Sequence, residues 1–204
     1  ETVPLLRVRP FFVKEYMKRI AIQGEIGSFH DIAAHQYFND EQIELICCST
    51  FEQVFENIKK DPTVIGIIAI ENTIAGSLLH NYDLLRESGV TVVGEHKLHI
   101  EHSICCLPDD NWDTITEVHS HPVALAQCRN FLENHPEMKA VEAEDTAGSA
   151  EYISSHNIHG WAAICSSRAA NIYGMKILQE DIHDNKHNYT RFLVVSNPHK
   201  ASLL

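Results

Sequence analysis

The 204-residue chain is 44% hydrophobic and 22% charged, enough apolar material to bury one core or two small lobes. Its formal net charge of -12, with only seven arginines, excludes a general nucleic-acid binder and a polybasic membrane surface, since both need clustered Lys and Arg. No apolar run approaches the ~20 residues of a membrane span. The opening stretch is broken by Arg7, Arg9 and Lys14 and so lacks the apolar core of a signal peptide.

Residues 1–17 read as an N-terminal extension or an expression remnant, outside the fold. From there strands and helices alternate. Residues 19–23, 44–48, 64–70 and 90–94 are short, β-branched and apolar on both faces, as strands of a helix-covered parallel sheet should be. Phe29, Ile32, Ala33 and Tyr37 share one helical face, and Ser28 with Asp31 forms a candidate capping box at its start. Phe51, Val54, Phe55 and Ile58 mark a second helix. A second set follows: a strand at 115–119, and a helix from Pro122 with Leu125, Cys128, Phe131 and Leu132 on one side. Then come a run at 138–143, a helix from about Thr146, a strand at 161–165, a helix to about Tyr173 and a strand near Ile177. The run 190–195 is a last buried strand without a helix of its own. This alternation predicts an α/β protein of two lobes with a cleft between them.

Six cysteines, Cys47, Cys48, Cys105, Cys106, Cys128 and Cys165, include no C-x-x-C pair. They read as small buried hydrophobes in a reducing compartment, not as a disulfide or zinc framework. Among the fourteen histidines, His96, His99 and His102 are evenly spaced, but on a strand His99 would face away from the other two. No metal site is expected.

Three segments place small and polar residues just after a buried strand, where open α/β sheets bind anions at helix N-termini. They are Gly24-Glu25-Ile26-Gly27-Ser28, the run from Glu71 and Asn72 to Gly76 and Ser77, and Asp145-Thr146-Ala147-Gly148-Ser149. A Gly-Ser helix start is often a plain cap, yet three in one small chain are harder to dismiss. The fourth segment is Asn188-Tyr189-Thr190-Arg191-Phe192. Its arginine, in an otherwise apolar strand, needs a partner: a substrate carboxylate, or a structural Glu or Asp.

These segments, in order, resemble the prephenate dehydratases. The runs IAIQGEIGS at 20–28, IENTIAGS at 70–77 and Asn81-Tyr82-Asp83-Leu84-Leu85 are similar to that family's. So are Ser120-His121-Pro122 with Ala124-Leu125-Ala126-Gln127-Cys128, DTAGSA at 145–150 and NYTRFL at 188–193. Three positions depart from the pattern: Thr73, Val123 and Ser149.

The resemblance implies two α/β lobes like those of type II periplasmic binding proteins, with the active site in the interlobe cleft. The first lobe would span 18–98 plus 186–200 and the second 99–185. It implies a lyase that converts prephenate, a small anion, to phenylpyruvate in phenylalanine biosynthesis without a cofactor, as a cytoplasmic homodimer or homotetramer. A regulatory ACT domain, common in the family after the catalytic part, is not expected within these 204 residues. Thr190 would assist departure of the ring hydroxyl, and Arg191 would hold a carboxylate. Asn72, Ser77, Thr146, Asn188, Phe192, Glu71, Ser149 and the backbone around Gly24, Ser28 and Ala147 would line the substrate. Arogenate dehydratase, the same elimination on the amino analogue, is the nearest alternative. A non-catalytic ligand-binding module is a more distant one.

Overall fold

The computed structural model describes residues 17–39 and 42–201. The extension read over 1–17 therefore lies, but for Met17, outside the described residues. The chain begins with β1 (Lys18–Gln23), α1 (Phe29–Tyr37), β2 (Ile43–Cys48), α2 (Phe51–Lys60) and β3 (Ile65–Asn72). It continues with a two-residue β4 (Gly76–Ser77), α3 (Leu79–Ser88) and β5 (Thr91–His99). The middle of the chain holds β6 (Ser103–Cys106), β7 (Glu117–Ser120), α4 (Pro122–Gln127), α5 (Arg129–Glu133), β8 (Lys139–Glu142), α6 (Thr146–Ser155), β9 (Trp161–Cys165), α7 (Ser167–Ile172) and β10 (Lys176–Gln179). A last strand, β11 (Tyr189–Ser196), leads into α8 (Pro198–Ala201).

Two sheets result. The first runs β2-β1-β3-β11-β5, with β4 pairing on β3. Strands β1, β2 and β3 are parallel, whereas β11 is antiparallel to both of its neighbours. The last strand thus returns to the sheet where the chain began and sits between β3 and β5. Ile20, Ala21 and Ile22 are wholly buried because helices cover both faces. Ile20, Ile22, Ile67, Phe192 and Val194 pack with Ala33, Ala34 and Phe38 of the α1 side. Ala21, Ile68, Ile70, Leu193 and Val195 pack with Val54, Phe55 and Ile58 of α2. Each such isoleucine contributes roughly 1.5–3 kcal/mol by leaving water. The second sheet runs β10-β6-β9-β7-β8, also apolar on both faces.

Most of these elements fall where the apolar pattern places them, and some do not. Strand 90–94 continues to His99, because its alternating polar residues form an edge paired with β11. The helix α3 and strand β6 were not anticipated. The helix expected from Pro122 is two helices, broken at Cys128 (φ -114°, ψ 27°). There Asp184 inserts into the ladder: its N–H donates to the Gln127 carbonyl at 2.8 Å, and its carboxylate accepts from Asn130 N at 3.1 Å. The capping box is half realised. Ser28 Oγ accepts from Asp31 N, but the Asp31 carboxylate accepts from Gly27 N at 2.6 Å instead of reaching back to Ser28.

The same Asp31 ties the two sheets' helices together, accepting from Arg168 Nε of α7 at 3.1 Å. Ser166 Oγ donates to the Gly27 carbonyl at 2.7 Å. Gly27 sits at φ +90°, and a Cβ there would lie 2.7 Å from the Ala169 backbone, so only glycine permits this approach. No helix among the described residues is long and apolar enough to cross a membrane.

Candidate active site

The carboxyl ends of the parallel strands in both sheets face one cavity of about 280 Å³. From the first sheet come Gln23 at the end of β1, Ser28, Phe29 and His30 opening α1, Phe51 opening α2, and Ala69 and Asn72 of β3. Thr190 and Phe192 enter from β11. From the second come His102, His121 and Val123 at the start of α4, Gln127 at its end, and Glu144, Asp145 and Thr146 at the start of α6. This is the position where open α/β sheets bind ligands. At the small end of ligand pockets, ~300 Å³ and upward, it suits a compound of one ring, not a dinucleotide.

Thr190 is almost buried, and its hydroxyl is held from one side only. Asn72 Oδ1 accepts from the backbone N–H groups of Ile74 and Ala75 at 2.9 and 2.8 Å. That fixes the amide, so Nδ2 donates to Thr190 Oγ1 at 3.0 Å and to Asn188 Oδ1 at 2.8 Å. Thr190 Oγ1 therefore receives a hydrogen bond and keeps its own proton to give. Asn188, wholly buried, donates onward from Nδ2 to Gln127 Oε1 at 2.9 Å.

The apolar wall is aromatic. His30 lies edge-on to Phe192, with ring centroids 5.0 Å apart, and tilted against Phe51 at 5.5 Å. Burial pulls the His30 pKa down to about 3, so the ring is neutral and its Nε2 accepts from Ala69 N. Asp145 caps α6 by accepting from Gly148 N, and burial raises its pKa above the usual carboxylate value. Its Oδ2 lies 2.8 Å from where a Cβ on Gly24 (φ +97°) would stand, so this glycine lets the two walls meet. No Lys or Arg lines the cavity among the described residues; its fixed charges are the acids Glu144 and Asp145.

Of the residues proposed from sequence, Ser28, Asn72, Thr146, Thr190 and Phe192 line this cavity, Asn188 is buried behind Asn72, and Gly24 lies beside Ser28 and Asp145. Others lie elsewhere. Ala147 is wholly packed in the core of the second sheet, and its amide sits on the Asp145 carboxylate. Ser149 turns back to donate to the Asp145 carbonyl at 2.7 Å. The expectation of a buried Arg191 facing the substrate needs correction. Neighbouring strand residues point to opposite sides, and Arg191 falls on the side that further along carries Leu193 and Val195. It is exposed, donating from Nε and Nη2 to Glu95 Oε2 at 2.9 and 2.7 Å, with Glu71 3.6 Å away. Glu71 and Ser77 line that same outer hollow with Arg191, and Glu71 also accepts from Tyr82 Oη.

Sequence reasoning missed His30, His102 and Gln127 as cleft residues. Gln127 was visible only as part of a helix motif. The evenly spaced histidines part company: His96 reaches Gln36, His99 reaches the Lys186 carbonyl, and His102 turns into the cleft.

The fold is α/β with two sheets, and the cleft between them presents a hydroxyl, amides and aromatic rings, a lining whose chemistry matches a small polar molecule. The chain belongs to the prephenate dehydratase family, which it matches over residues 20–200. It is 38% identical over 179 residues to arogenate dehydratase 5, chloroplastic, of Arabidopsis thaliana, across 87% of this chain and 42% of that protein. A solved prephenate dehydratase from Arthrobacter aurescens, in complex with L-Phe, is similar at TM-score 0.79 and 26% identity, over 88% of this chain and 60% of that one. A structure described as GqqA, a novel type of quorum quenching acylase, is similar at TM-score 0.78 and 31% identity, over 88% and 64%. The chain spans less than half the length of the Arabidopsis relative.

Proposed function

We propose that the chain catalyses the decarboxylating dehydration of prephenate to phenylpyruvate, in phenylalanine biosynthesis. The bond from one ring carbon to its carboxylate breaks, and that electron pair moves through the diene. It expels the hydroxyl from the opposite carbon, which leaves as water after taking a proton, alongside CO2. Aromatisation drives the reaction, so the protein must orient the ring and help the hydroxyl depart. The observation that carries the reading is the Thr190 hydroxyl, facing the cleft and hydrogen-bonded by Asn72 so that its proton is free to be donated. Threonine is a weak acid, so donation belongs late in bond cleavage, not to a preformed alkoxide. Phe192, Phe51 and neutral His30 would hold the ring, while Ser28, Thr146 and the first-turn amides of α1 would take polar atoms. Asn188, buried with its amide engaged by Asn72 and Gln127, would support Asn72 from behind. The reading includes a cytoplasmic location, supported by the free and mostly buried cysteines.

A second reading is favoured by one feature of the cavity. An acidic lining without Lys or Arg suits arogenate, whose ammonium replaces the keto group, and the Arabidopsis relative carries that substrate in its name. Parallel steady-state kinetics separates the two, following phenylpyruvate by absorbance from prephenate and phenylalanine by chromatography from arogenate. The prephenate reading requires a higher kcat/KM with prephenate. The reverse order establishes the amino substrate, and inactivity on both removes the dehydratase assignment.

A further inference from the structure

We propose that His102 is a positioning residue for the reaction: its Nε2–H donates to Gln127 Oε1 and so anchors the chain of amides that aims Asn72 at Thr190. The inference deepens the dehydratase reading and rests on it.

The direction of each hydrogen bond can be deduced. Backbone N–H groups only donate, so the Asn72 atom receiving Ile74 N and Ala75 N must be the oxygen. Asn72 therefore presents its nitrogen to Asn188, which must answer with Oδ1, at 2.8 Å. That turns the Asn188 nitrogen to Gln127, whose receiving atom must be Oε1, at 2.9 Å. The same oxygen meets His102 Nε2 at 2.9 Å. Two acceptors cannot bond each other, so His102 Nε2 must carry a proton. Burial lowers the ring's pKa to about 4, so near neutral pH it is uncharged and Nδ1 is bare. Nδ1 is indeed buried without a partner. Phe29 packs edge-on against the ring, with centroids 5.3 Å apart, and the backbone N–H of His102 donates to His183 Nδ1.

The consequence lies at the far end. His102 follows β5 and Gln127 ends α4, whereas Asn188 and Thr190 come from the β11 segment, so the chain joins the two walls of the cleft. Two donors keep the Gln127 oxygen, not its nitrogen, toward Asn188: Asn188 Nδ2 and His102 Nε2. Without His102 only the Asn188 N–H opposes a flip of the Gln127 amide. A flip would set two amide nitrogens against each other, loosening Asn188 and with it the Asn72 N–H that holds the Thr190 hydroxyl.

The test uses the 204-residue chain with His102→Leu, which removes the donor, and His102→Gln, whose amide nitrogen can fall near Nε2. A positioning role predicts that His102→Leu lowers kcat about tenfold or more with KM within about twofold, and that His102→Gln regains part of the loss. A kcat near that of the wild type, a loss carried by KM, or a Gln variant no better than Leu would overturn it. Should the variants fail to fold, side-chain nitrogen NMR of the wild type at about pH 7 decides the matter. The proton is expected on His102 Nε2; a neutral ring with its proton on Nδ1 and Nε2 bare refutes the chain. A wild type inactive on both prephenate and arogenate would defeat the dehydratase reading alone, since the tautomer still tests the hydrogen-bond chain.

Discussion

At the scale of single residues, the proposed chemistry turns on what Thr190 can give and when. Its hydroxyl accepts from Asn72 in the resting fold, so on the proposed reading its donation would strengthen only as the substrate hydroxyl gains charge. Thr190→Ala should therefore lower kcat by ~10²–10⁴-fold while KM moves little, and Thr190→Ser should keep part of the rate with a looser rotamer. Unchanged kcat in a folded Ala variant would remove Thr190 from the mechanism. Arg191 carries the opposite expectation. Bound to Glu95 on the outer side of the strand, it has no line to the cleft, so Arg191→Ala should leave KM and kcat within about threefold of wild type. A large rise in KM would show that the guanidinium reaches the substrate after all. The adjacent pair also shows what one strand motif conceals. The run NYTRFL says that these residues matter together, but not that successive side chains part to opposite faces. His102 and Gln127 were illegible for a different reason, since their meeting with Asn188 depends on a cleft closed by segments far apart in sequence.

At the scale of elements, the glycines and breaks carry more information than the helical periods. The buried strands β1 and β3 and the helices α1 and α2 were legible because little besides a buried strand or an amphipathic helix produces a continuous apolar run or a 3.6-residue period. The α4–α5 break was not, because its cause is Asp184, more than fifty residues downstream. Gly27 is the clearest place to test how the two halves fit. At φ +90° an alanine is strained by ~1–2 kcal/mol, and its Cβ would also press into the α7 backbone, which cannot swing aside like a flexible side chain. Gly27→Ala should lower the melting temperature by several degrees and weaken activity, because α7 holds Asp31 and hence the start of α1. Wild-type stability and kinetics in that variant would mean that the approach of the two halves is not needed for the cleft.

For the whole molecule, buried neutral histidines set how the fold responds to acid. Burial draws His30 to about 3, and burial with the nearby His183 draws His102 to about 4, against an ordinary 6.5. Below 6.5 the unfolded chain takes up protons that the folded chain refuses. Their contribution is therefore present above pH 6.5 and is lost progressively as pH falls from there toward 4 and 3. Thermal unfolding should show a falling midpoint between about pH 7 and 5, before ordinary carboxylates titrate. A flat profile across that window would contradict the buried, neutral state of these rings.

The dehydratase assignment rests on whether this cleft performs the elimination with Thr190 in it. Wild type and an equally folded Thr190→Ala variant should be given prephenate and, separately, arogenate, with the aromatic product followed over time. Wild type should convert at least one of them, and the variant should be slower by ~10²–10⁴-fold on the same substrate. Product formed by neither protein, or formed equally fast by both, would contradict it.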